Sequence, residues 1–155
     1  MKSVLIAAAI TLVAGLASHP VFAGGFDREV KARKALMQVY AFNISILGAM
    51  AKGKRPYEAK LAQAAADNLL AAVSMKNAVM WPKGSDNDAL GDKTRAKPKL
   101  WSTYPKVAEN SKRMQTVAKK MAAAAGKGLD AVKANMKALG SGCGGCHKPF
   151  RAPKK

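Results

Sequence analysis

From about residue 27 onward the chain shows no strand-like alternation of apolar and polar residues, and its apolar side chains recur every three or four positions instead. That spacing restricts it to helices. The same region is rich in Ala, Leu, Met and Lys, which lose little side-chain freedom on entering a helix. Gly and Pro interrupt it at Gly53 to Pro56, Pro82 to Pro98 and Gly126 to Gly128, giving four helical segments, with a further glycine cluster at Gly140 to Gly145.

The first helix is expected over 27–51, with Asp27 as N-cap and Val30, Met37, Ala41, Ile44 and Gly48 along one face. The second is expected over 57–79, after Pro56, with Leu61, Ala65, Leu69 and Ala72 as its stripe; it stops before Trp81-Pro82 because the residue preceding proline resists helical geometry. A long connection covers 80–101. The third helix starts near Ser102, tolerates Pro105 in its first turn, and presents Val107, Met114, Val117 and Met121. The fourth starts near Gly128 with Leu129, Val132, Met136 and Leu139, and the same helical steps reach Cys143, Cys146 and His147. The glycines from 140 to 145 work against a regular helix, although they also let backbone lie close to a large flat group. The expected fold is all-α, an antiparallel four-helix bundle, whose cofactor sites are built from inward side chains.

Residues 1–23 read as an export signal to be cleaved: Met1-Lys2, an apolar run from Val4 to Ala17, and Val21-Phe22-Ala23 with small residues at the cleavage positions. An uncleaved anchor is the alternative, but the run is shorter than the ~20 apolar residues of a spanning helix. The mature chain, 24–155, is one domain, located in the periplasm. Without Lys2 it has 26 basic and 9 acidic residues, a formal charge of +17. The excess either solvates helix surfaces or steers the protein to an acidic redox partner or an anionic membrane surface. Nucleic acid fits poorly, since export separates the chain from it and its few aromatics are not interleaved with basic residues.

The only two cysteines are spaced Cys143-Gly144-Gly145-Cys146, with His147 immediately after. This is the attachment signature of haem c: the two thiols form thioethers with the vinyl groups of one haem, and the adjacent imidazole lies beneath the iron. A thioredoxin-like redox pair belongs beside a βαβ pattern, which is absent here. A structural disulfide closing so small a loop removes little chain entropy and leaves His147 without a role. Zinc normally takes four ligands, and the other histidine, His19, leaves with the signal.

A signal peptide, four helices and a haem motif near the C-terminus resemble the cytochrome c-prime family and its low-spin cytochrome c-556 branch. The likeness covers essentially the whole mature chain. It rests on Arg33 with Met37, on Trp81-Pro82-Lys83-Gly84-Ser85, on Thr94-Arg95-Ala96-Lys97-Pro98 with Trp101, and on Cys143 to Arg151. Phe150 stands where the family usually has tyrosine, and Pro149 interrupts the usual polar pair after the histidine.

The resemblance implies that Met37, four positions after Arg33, sits over the haem face opposite His147. A methionine ligand there gives six-coordinate, low-spin iron and single-electron transfer, since a thioether favours ferrous iron and raises the potential. That electron carrier is the first expectation. The alternative is a five-coordinate protein that binds or sequesters nitric oxide, with Met37 displaced or never ligating. Ordinary core filling is the bland role for Met37, as for Met114 and Met121. Arg33 is expected to meet a haem propionate, or else to snorkel to the bundle end. Arg151 takes a similar place near the haem, while Trp81 and Trp101 pack. An enzyme is not expected, because His147 is the sole mature histidine and no distal acid or base accompanies it. The family also offers a homodimer through its first helix.

Overall fold

The computed structural model describes residues 25–154; the expected signal peptide lies outside them. Six helices follow in order: α1 (Asp27–Ala51), α2 (Ala59–Ser74), α3 (Asn87–Leu90), α4 (Lys99–Ser102), α5 (Tyr104–Ala124) and α6 (Leu129–Phe150). The four long ones form the expected bundle: α1 packs on α2 and α6, and α5 packs on the same two neighbours. No described helix is long and apolar enough to cross a membrane.

The α1 boundaries agree with the sequence pattern, but its cap and its face do not. Phe26 is the N-cap, and Asp27 instead begins the helix and pairs with Lys93 at 3.0 Å. The buried face of α1 runs through Val30, Arg33, Leu36, Asn43, Leu47 and Met50, rotated from the predicted stripe; Met37 and Ile44 are half-buried and Ala41 is exposed. Two polar residues on that face hid it from a hydrophobicity pattern.

Helix α2 ends at Ser74, short of the predicted Val79, and a 3-10 turn at Ala78–Met80 follows. The connection to α5 is more structured than a loop. Asp86 caps α3 by accepting from the Asp88 and Ala89 amides, and α4 precedes α5, which carries Pro105 in its first turn.

Of the fully buried side chains, Leu47, Met50, Met121 and Val132 lie toward the end of the bundle closed by the α1–α2 and α5–α6 turns, and Leu69 and Leu139 lie farther along their helices. Tyr57 ties those turns together. Its hydroxyl donates to the Ala125 carbonyl at 2.9 Å and accepts from the Gly128 amide at 2.9 Å, with Gly128 at φ 131°, a backbone state that favours glycine. Toward the other end, Met37 and Tyr40 on α1 and Cys143 on α6 are only partly covered.

Candidate haem site

Helix α6 does not break at its glycines; it runs unbroken to Phe150 and carries Cys143, Cys146 and His147 in its last two turns. Two of the glycines are needed by the helix alongside. A Cβ on Gly142 would meet Met114 Sδ at 2.9 Å and Val117 Cγ2 at 3.0 Å, and one on Gly145 would meet Asn110 Oδ1 at 2.9 Å. These positions let α5 and α6 approach closely where the cysteine motif sits. Asn110, buried on α5, donates from Nδ2 to the Gly145 carbonyl at 3.0 Å.

Both cysteines are free and half-buried. Burial pushes both thiols up from their ordinary value. No cluster of His, Cys, Asp and Glu that could hold a metal ion occurs among the described residues. His147, also half-buried, is pushed down by burial first and by Arg151 and Arg95 second, which keeps the imidazole neutral with a lone pair available. Unpaired thiols in this spacing, a neutral imidazole next to them and an incompletely covered bundle end fit a covalent haem c. With two cysteines and one histidine and no further ligand gathered among the described residues, they fit a four-ligand zinc site poorly.

The end of α6 is clamped from outside. The Lys97 amide donates to the Phe150 carbonyl at 2.9 Å, the Ala152 amide to the Arg95 carbonyl at 2.8 Å, and Arg95 Nε to the Ala152 carbonyl at 2.7 Å, forming a two-residue bridge between Ala96 and Arg151. Arg151 itself is exposed.

Arg33 is 3% exposed and almost wholly engaged by the 80–94 connection. One terminal nitrogen donates to Ser85 Oγ at 2.7 Å and the Met80 carbonyl at 3.4 Å; the other donates to the Ser85 carbonyl at 2.5 Å and Thr94 Oγ1 at 2.8 Å. Its guanidinium lies 4.7 Å from the Trp81 ring centre. Trp101 reaches the same place, donating from Nε1 to the Trp81 carbonyl at 3.0 Å.

Sequence reasoning missed the Ser85 and Thr94 acceptors, Asn110 and Tyr40. Tyr40 lies one turn beyond Met37, is half-buried, and its hydroxyl donates to the Ala72 carbonyl at 3.1 Å. A tyrosine at i+3 from the predicted ligand was the available signal.

The family model for cytochrome c′ matches residues 28–151. Among similar proteins, cytochrome c-554 of Cereibacter sphaeroides is 38% identical over 125 residues, covering 81% of this chain and 93% of that protein. Cytochrome c-556 of Rhodopseudomonas palustris is 31% identical and covers 97% of each. The solved structure of a Rhodobacter sphaeroides cytochrome c′ superimposes with a TM-score of 0.80 at 27% identity, covering 83% of this chain and 98% of that one. On a match that spans nearly all the described residues, together with these relatives, the chain belongs to the cytochrome c′ family, whose members bind one covalent haem c.

Proposed function

We propose that the protein is a periplasmic haem c protein that binds a small diatomic ligand, nitric oxide being the candidate, on the haem face opposite His147. Cys143 and Cys146 hold the haem as thioethers and His147 provides the proximal nitrogen. When bound, the haem supplies an iron that takes a diatomic ligand or exchanges one electron. The observation that carries the reading is the match to the cytochrome c′ family model over residues 28–151. Membership of the cytochrome c′ family supports it, and at the level of fold so does the Alcaligenes xylosoxidans cytochrome c′, solved as a ferrous variant with nitric oxide bound.

The sequence alone put electron transfer first, and Met37 keeps that as the second reading: a methionine four residues after Arg33 is a competent soft ligand, and His/Met coordination suits a one-electron carrier. On this reading Arg33 on α1 and Arg151 at the end of α6 keep the places near a haem propionate that the family resemblance gives them. Exposed Val39 and Phe42 on α1 fit the homodimer expected of the family.

Optical spectra of the ferric and ferrous holoprotein, with and without nitric oxide and beside Met37→Ala, test the reading. High-spin spectra, or a methionine ligand displaced by stoichiometric nitric oxide, are expected. A low-spin spectrum abolished in Met37→Ala and unmoved by nitric oxide overturns ligand binding and leaves the electron carrier.

A further inference from the structure

The clamp between the end of α6 and the 94–98 segment brings together two stretches without acidic residues. Residues 93–108 and 131–154 contain no Asp or Glu. Pairing of Ala96 with Arg151 puts Arg95, Lys97 and Lys99 next to Lys148, Arg151 and Lys154. The extended 95–97 backbone turns Ala96 into the protein, where it is buried, and leaves Arg95 and Lys97 on the opposite side. Lys99, Lys148, Arg151 and Lys154 are exposed. None of the six forms an ion pair with a described residue, although Lys93, at the edge of the group, is paired with Asp27. At this end the acidic residues Asp86, Asp88 and Asp92 lie on the neighbouring 86–92 segment, where Asp86 caps α3.

We infer that this basic collar around the Cys143-to-His147 end is the docking surface for a protein partner with an acidic face. Uncompensated cations gathered at one end of the molecule make a local positive potential, which orients an approaching acidic protein as well as attracting it. The orientation is useful because it presents the haem-bearing end. An anionic membrane is the weaker fit: interfacial binding combines cations with inserted apolar side chains, and the exposed large apolar side chains nearest the collar, Tyr104, Met75 and Val79, lie outside the 93–99 and 147–154 stretches that carry its cations. The inference rests on the chain being a haem c protein, and does not depend on whether Met37 ligates.

The test uses the holoprotein and a fluorescein-labelled peptide of alternating Asp and Glu, followed by anisotropy at low and high salt. One variant reverses three exposed collar charges, Lys99→Glu, Lys148→Glu and Lys154→Glu. Its control reverses three exposed charges at the far end of the bundle, Lys52→Glu, Lys54→Glu and Lys127→Glu, with the same change in net charge. Unchanged haem spectra verify that both fold. The collar variant is expected to bind the peptide at least ~10-fold more weakly and the control to lose less than ~2-fold, with salt removing the difference. Equal losses overturn a local surface in favour of net charge alone. Failure of the wild-type holoprotein to bind the peptide while it binds phosphatidylglycerol vesicles overturns the protein partner in favour of a membrane. A failed haem site shows in the spectra, not in the binding ratio, so the two readings fail separately.

Discussion

Asn110 supplies Gly145 with the hydrogen bond that an α-helix would otherwise take from residue 149, where proline has no N–H to give. The amide of a residue on α5 thus completes the ladder of α6 inside the cysteine motif, at 3.0 Å. Without it the Gly145 carbonyl would lose its partner beside a helix that already contains a proline. The geometry accounts for how Pro149, which the sequence marks as an interruption, is accommodated without ending the helix.

Asn110→Ala is therefore expected to destabilise the protein by about 1–3 kcal/mol, the range for leaving a buried acceptor unsatisfied. In a Pro149→Ala background, residue 149 regains its own N–H, and the same substitution should cost less by about 1 kcal/mol or more. Denaturant unfolding of the four proteins measures the coupling. Additive losses would show that Asn110 does not stand in for the missing N–H.

The helical blocks and the cysteine motif were legible because both are written in local spacing: the α1 limits agree to the residue, and α6 carries Cys143 and His147 where helical steps predicted them. What was not legible depends on partners distant in sequence. Arg33 looked like a charge in need of a counter-ion, yet its acceptors lie 47 to 61 residues away on a connection that composition described only as a loop. The Gly140 to Gly145 cluster read as a helix breaker because propensity cannot see α5 at Gly142 and Gly145.

Arg33 anchors the 80–94 connection to α1. Burial pulls its guanidinium's proton affinity down, with Asp86 opposing, but an arginine stays charged, so its hydrogen bonds must be kept. Arg33→Lys preserves the charge and loses the fork. A loss of about 2–4 kcal/mol is expected, since hydrogen bonds to a buried charge are each worth about 1.5–3 kcal/mol and lysine retains only some of them. Limited proteolysis should then cut between residues 80 and 94. An Arg33→Lys variant as resistant there as the wild type would refute the anchor.

Tyr40 sets a stability limit at alkaline pH. Burial is the main cause raising its hydroxyl, so the native state holds the proton to higher pH than the unfolded chain does. The stabilisation is fully present below the unfolded value of about 10 and is lost as pH rises through the folded one. Tyr40→Phe removes the linkage along with the hydrogen bond to the Ala72 carbonyl. Its melting temperature should be lower at neutral pH, by the equivalent of about 1 kcal/mol, and should fall less steeply above about pH 10. Parallel melting curves for the two proteins across that range would exclude Tyr40 as the group responsible.

The glycines of α6 should respond with opposite signs to the same substitution. Gly140 is exposed, lies inside the helix and has open space where a Cβ would stand, so Gly140→Ala is expected to stabilise by about 0.5–1 kcal/mol through the unfolded chain's lost freedom. Two turns of sequence are not needed to reverse the effect. At Gly142 the new Cβ lies 2.9 Å from Met114 Sδ and 3.0 Å from Val117 Cγ2, so α5 must yield or α6 must shift, at about 1–3 kcal/mol. Because Cys143 follows immediately, the shift should also lower the fraction of chain recovered with covalent haem, measured as haem absorbance per unit protein. Gly140→Ala should leave that fraction unchanged. Equal stability effects at the two positions would mean that helix propensity, and not contact with α5, governs this stretch of α6.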